Sequence, residues 1–173
     1  MDLLFAAIER WVHVLAGVTW IGLLYYFNFV QVPGLGQAKA DGTAAGITKH
    51  IAPRALLWFR WAAVVTWVSG ASYLMLAHGT AEMNGFVRAF LLQGSAAPIG
   101  VGAWLGTIML FNVWVLIWPN QKKVLGMVEA SDEQKAKAAR VALLASRTNT
   151  MLSFPMLFFM ITGTAAHSVY FGG

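Results

Sequence analysis

Four histidines are the side chains in this chain best suited to chemistry, and three of them lie toward the ends of apolar stretches. His13 opens the run His13-Val-Leu-Ala-Gly17-Val-Thr-Trp20-Ile-Gly22, part of a long apolar segment without a charge. On a 3.6-residue period His13, Gly17, Trp20, Leu24 and Phe27 share one helix face, with Asn28 at its edge. Gly17, one turn deeper than the imidazole, leaves a gap in which a flat group can lie against the ring. His167 repeats the arrangement, with Gly163 one turn deeper and Thr162, Thr164, Ala165 and Ala166 around it. Two imidazoles on facing helices at one depth, each flanked by small residues, are what a non-covalent bis-histidine heme b requires. His13 and His167 are therefore candidate ligands of a heme iron, with Gly17 and Gly163 as walls of the pocket. His78, followed by Gly79, is a third candidate, either as a ligand or as a loop residue. Two other readings stay open. Three imidazoles from His13, His78 and His167 also suit copper or zinc, although only Glu9 and Glu82 offer carboxylates on that side. Histidines near helix ends can also simply reach interfacial water.

Arg60 stands between Trp58 and Trp61, two turns into an apolar segment. A cation at that depth is a candidate for a heme propionate, an anionic substrate or a quinone carbonyl, or else it snorkels to headgroups. Asn28, Gln31 and Asn112 add polar atoms near the same end. With Arg54 and Arg147 they form either a polar pocket or a set of interhelical hydrogen bonds and headgroup contacts.

The elements that position these groups are helices. The chain is 58% hydrophobic and 11% charged, against about 25% charged in a soluble domain. The expected fold is all-α, an integral-membrane four-helix bundle forming one domain over residues 1–173. Its spans are placed at about 10–31, 54–77, 99–118 and 149–170. Asn84 to Gln93 is expected to form an interfacial turn or helix. Ser131 and Gln134 read as a capping box that opens a short helix before the fourth span. Lysines and arginines concentrate in the first and third loops, which places those loops in the cytoplasm of a bacterial inner membrane and both termini on the periplasmic side. His13, His78 and His167 then fall in one outer layer, and His50 in a cytoplasmic loop. The net charge of +5 belongs to these loops and implies no nucleic-acid partner. With no cysteine, disulfides, thiolate metal sites and covalent heme attachment within the chain are excluded. The N-terminus lacks the basic region of a signal peptide, so the first helix is expected to belong to the mature chain.

An internal repeat underlies the bundle. Trp20-Ile-Gly22-x4-Phe27-Asn28 recurs as Trp104-Leu-Gly106-x4-Phe111-Asn112 at an offset of 84 residues, each copy followed shortly by proline. Arg54 with Gly70 matches Arg147 with Gly163 at an offset of 93. The halves read as duplicated helix hairpins, with Ala97 standing where the first half has His13.

Three blocks carry a family resemblance: His13 to Gly22; Phe111-Asn112-Val-Trp114-Val-Leu-Ile-Trp118-Pro119-Asn120-Gln121; and Ser146-Arg147-Thr-Asn149-x3-Ser153-x-Pro155-Met156. Over nearly the whole chain the sequence resembles the N-terminal membrane domain of bacterial integral-membrane urate oxidases. The resemblance implies a multi-span membrane domain followed by a cytochrome c domain that passes electrons toward the respiratory chain. This chain departs from that pattern in having four expected spans and no Cys-x-x-Cys-His. The weaker His-x6-Trp opening is shared with heme-dependent protoporphyrinogen oxidases and copper-resistance membrane proteins. The third span here has no lysine or histidine and the fourth no Asn-Glu-x-Pro-Thr block, so the protoporphyrinogen oxidases are distant relatives at most.

The functional expectation is a membrane-embedded heme b protein for electron transfer, with oxidation of a small reductant as the activity the resemblance suggests. Its expected partners are the lipid bilayer, a c-type cytochrome, and a second copy of the chain or another membrane protein. The alternative is a non-catalytic accessory subunit of a larger respiratory or photosynthetic complex, docking through a stripe at Gly100, Gly102 and Gly106.

Overall fold

A computed structural model describes residues 3–162, and these residues are helical, with no strand among them. Helix α1 (Leu3–Tyr25) passes through a π-helical turn (Tyr26–Gln31) into α2 (Val32–Ala40). After α3 (Ala44–Gly46) and a second π-helical turn (Ile47–Ile51) comes α4 (Ala52–Leu76). The short α5 (Gly85–Phe90) and a 3₁₀ turn (Gly94–Ala96) lead into α6 (Ala97–Phe111). A third π-helical turn (Asn112–Ile117) joins α6 to α7 (Trp118–Val124), and α8 (Asp132–Thr162) closes the described chain.

Each π-helical turn ends two residues before a proline: Gln31 before Pro33, Ile51 before Pro53, and Ile117 before Pro119. Proline has no N–H to donate and its ring crowds the carbonyl four residues back. Widening the preceding turn removes that conflict and lets the helix continue. The first and third spans were expected to end near Gln31 and Trp118, but both run on past their prolines. Leu4–Ala40 forms a run of 37 residues and Gly94–Val124 one of 31, and both are long and apolar enough to cross a membrane. The repeat is visible here too, since both Phe-Asn segments, at Asn28 and Asn112, fall in π-helical turns.

The helices pair as two antiparallel hairpins. α1 packs along α4, and α6 along α8, with α5 wedged between the end of α4 and the start of α6. The periodic face of α1 is the buried one: Trp20, Leu24 and Phe27 enter the core with Leu56 and Phe59 of α4, while His13 and Gly17 are half-buried. The opposite face is equally apolar and stays uncovered, with Trp11 70% and Val18 68% exposed. Met151 of α8, 73% exposed, continues this apolar exterior.

Two expectations need correction. The helix opened by Ser131 is not separate from the fourth span: α8 is one helix of 31 residues, because nothing between Asp132 and Pro155 breaks it. The capping box itself is present, Ser131 N donating to Gln134 Oε1 at 2.9 Å and Gln134 N to Ser131 Oγ at 3.2 Å. The stripe at Gly100, Gly102 and Gly106 does not face outward, since all three are buried. Gly100 lies against Ala89 and Leu92, and Gly102 against Met160 of α8, so two of its glycines serve this chain's own packing.

Candidate functional site

His13 is held by α4. Its Nδ1 lies 2.7 Å from the backbone carbonyl oxygen of Thr66. A carbonyl only accepts, so Nδ1 carries the hydrogen and donates it, and in the neutral ring Nε2 then carries the lone pair. Nε2 has no hydrogen-bond partner among the described residues. The ring edge rests on Gly70, where a Cβ would stand 2.7 Å from both Cε1 and Nδ1. Glycine at 70 is therefore what lets the imidazole enter the α1–α4 seam. The Thr66 hydroxyl turns away and donates to Ala62 O at 2.7 Å, and Ser69 Oγ reaches the same Thr66 carbonyl at 3.2 Å.

Gly17 is not what admits the imidazole to the seam. Its nearest neighbour across the seam is Thr66 Cγ2, 3.7 Å from where a Cβ would stand, an ordinary packing distance. The glycine that makes room for the imidazole is Gly70, on the facing helix. One turn deeper than Gly17, Trp20 is 2% exposed and its buried Nε1 has no acceptor among the described residues. It is an unsatisfied donor on the His13 face.

His78 follows α4 in the left-handed region, with φ 62°. Its ring meets Tyr73 edge-on at 6.4 Å, and its carbonyl accepts from Arg88 Nη1 at 2.7 Å. Burial lowers its pKa from the ordinary histidine value, and the Arg88 charge lowers it further. Counted along α4, His78 is about 12 Å beyond the level of Gly70, so it belongs to the end of the hairpin and not to the His13 contact. His50 is exposed. His167 and Gly163 lie outside the described residues. Among the described residues no three His, Asp or Glu side chains gather as a metal-binding group. The copper or zinc set needs His167.

Of the polar residues expected to line an inner pocket, Asn28 and Asn112 make side-chain hydrogen bonds, while Asn28 Oδ1 and Gln31 Oε1 are buried without a partner among the described residues. Arg54 and Arg147 are exposed. Asn28 Nδ2 donates to Leu24 O at 2.9 Å and to Ser146 Oγ at 2.8 Å. Asn112 Nδ2 donates to Asn149 Oδ1 at 2.8 Å, and Asn149 Nδ2 to Met109 O at 3.0 Å. Tyr25 and Ser153 share a hydrogen bond of 2.9 Å. Apart from the Asn28–Leu24 bond, which stays within the first helix, these bonds tie α1 and α6 to α8. Arg60 lies over the Trp118 ring, its Cζ 3.8 Å from the ring centre, away from His13.

Thr66, Gly70, Tyr25, Ser153 and Trp118 were not singled out from sequence for these roles. Gly70 did carry a signal, since it matches Gly163 in the weaker repeat.

The model of the urate oxidase N-terminal family matches residues 76–171, which is more than half of the 173-residue chain. No curated protein and no solved structure gives a significant match. The match covers α5 to α8, including the Trp118-Pro119 turn and the Asn112–Asn149 bond, and the chain belongs to the urate oxidase N-terminal family.

Proposed function

We propose that the chain is a four-span membrane subunit that holds heme b through His13 and carries electrons in a urate oxidase-type system. The observation that carries this reading is the His13 Nδ1 bond to Thr66 O at 2.7 Å. Ligating histidines usually donate their other ring N–H to a carbonyl or carboxylate, which fixes the tautomer and raises ligand basicity. His13 has that arrangement, with Nε2 uncommitted among the described residues, and Trp20 adds an unsatisfied donor on the same face. The residues present thus fit an imidazole-ligated heme. His13 would hold it on one side and His167 on the other. The two are similarly distant in sequence from one contact: His13 stands 12 residues before Tyr25, and His167 14 residues after Ser153. A heme b there supplies reversible one-electron transfer. The chain's own work is to orient His13 from α4 and keep water off the ring with the Trp20 and Leu24 core.

The four-span reading rests on Leu4–Ala40 and Gly94–Val124 being long and apolar enough to cross a membrane. It extends to α4 because that helix has 25 residues, enough for ~30 Å of hydrocarbon. It extends to α8 because Met151, Phe154 and Phe158 present a bare apolar surface. Loop charges then put loops one and three in the cytoplasm of a bacterial inner membrane, with both termini periplasmic. The proposed electron acceptor is a c-type cytochrome on that outer side. A second copy of the chain or another membrane protein completes the assembly.

The test is the visible spectrum and pyridine hemochrome of the purified protein in detergent, beside His13→Ala and His167→Ala, followed by reduction with urate. A b-type spectrum lost in both variants and reduced by urate supports the reading. A colourless protein from a heme-replete host overturns it.

A further inference from the structure

The seam between α4 and the helix formed by α6 and α7 carries a groove that shares no residue with the His13 contact. Its volume is about 520 Å³, and its walls include Trp61, Val64 and Trp67 of α4 facing Leu110, Phe111 and Trp114. Trp61 and Trp114 meet edge-to-face at 5.5 Å, and Trp67 Nε1 donates to Thr107 Oγ1 at 2.9 Å. The groove is therefore a lasting gap between fixed aromatic rings. Trp114 Nε1 is buried without an acceptor among the described residues, an unsatisfied donor at the groove wall.

One turn from the Trp61–Trp114 pair lies a cationic mouth. Arg60 Cζ is 3.8 Å and Lys122 Nζ 5.8 Å from the centre of the Trp118 ring. Both cations are drawn to the same indole ring. Among the described residues no carboxylate pairs with either, the ion pair formed there being Lys135 with Asp132. An anion arriving at this mouth meets two cations that no carboxylate neutralises. The mouth lies at the end of the helices that leads into the lysine-rich third loop, where a bilayer places its headgroups.

We infer that this groove binds an anionic phospholipid of the cytoplasmic leaflet, its phosphate between Arg60 and Lys122 and an acyl chain along Trp61, Trp114 and Phe111. The inference rests on the membrane reading above. Charge selects the occupant, because a zwitterionic lipid brings its own cation to the mouth. The Trp114 N–H, one turn deeper than the cations, matches the depth of an ester carbonyl below its phosphate.

Tryptophan fluorescence of the full chain in vesicles tests this, with brominated phosphatidylglycerol or brominated phosphatidylcholine as quencher in a zwitterionic host. At low salt the anionic quencher should act with an apparent affinity on the order of tenfold higher, a preference that salt weakens. Arg60→Gln with Lys122→Gln should bring the two quenchers to within about twofold, while Arg60→Lys with Lys122→Arg keeps the preference. Equal quenching of the wild type by both lipids overturns the lipid site and leaves the membrane reading standing. No quenching by either overturns the membrane reading and the site with it. The wild-type comparison decides the question even where a variant fails to fold.

Discussion

The imidazole of His13 and the backbone carbonyl of Thr66 are 2.7 Å apart, and the ring that makes this bond lies on Gly70 one turn along α4. The bond joins two helices and commits one nitrogen of the only histidine in α1. Its geometry depends on a missing side chain. A methyl at 70 would stand 2.7 Å from two ring atoms, so the ring must swing out and give up Thr66. Gly70→Ala should therefore cost about 1–3 kcal/mol in thermal unfolding in detergent and lower the heme bound per chain. Gly17→Ala, with an ordinary 3.7 Å contact to Thr66 Cγ2, should change neither. Equal behaviour of the two variants would show that the imidazole does not depend on Gly70.

Asn112 and Asn149 form a second interhelical bond, at 2.8 Å, and both residues are buried. Removing Asn149 strands the buried Asn112 side-chain amide, while the Met109 carbonyl keeps the Asn112 backbone N–H. Asn149→Ala should cost about 1–3 kcal/mol. On the membrane reading proposed above, the coupling to Asn112→Ala in a double-mutant cycle should be smaller, about 0.6 kcal/mol, because chains unfolded within a membrane still find partners. Additive single costs would show that the two amides act independently.

The face of α1 that buries Trp20, Leu24 and Phe27 could be read from the sequence, because helical period alone decides it. So could the capping box, which is a local pattern. The repeat foretold that Asn28 and Asn112 play like parts: both sit in π-helical turns and both bond to α8, at Ser146 and Asn149. What periodicity leaves open is which neighbour a face meets. His13 and Gly17 share a face, and nothing local distinguishes a ring lying against its own glycine from one lying on Gly70 of another helix. Proline misled in the same way. Pro33 and Pro119 mark helix ends by local rules, but a wider turn before each lets the helix pass.

The cap at Ser131 makes a local prediction. Ser131→Ala removes the acceptor for Gln134 N and should cost about 1 kcal/mol. The loss belongs to the first turns of α8, far from the His13 contact. Faster amide exchange confined to residues 132–140, with the heme spectrum unchanged, is the expected result. Exchange that quickens along all of α8 would mean that the cap supports the whole helix.

His78 supplies the pH dependence. Burial and the Arg88 charge hold its folded pKa below the ordinary 6.5. Above that value the ring is neutral in both states and contributes no dependence. As pH falls through it, the unfolded chain takes up a proton that the folded chain resists, so stability falls until pH drops below the folded value. Asn tolerates the left-handed φ of 62° and has no proton to gain. His78→Asn should therefore flatten the drop in melting temperature between about pH 7.5 and 5. Arg88→Gln should make this drop shallower without moving its onset, because the repulsion that adds to burial is gone. It should also lower stability at every pH by freeing the His78 carbonyl, which now accepts from Arg88 at 2.7 Å. A melting profile unchanged by His78→Asn would show that the ring titrates alike in both states.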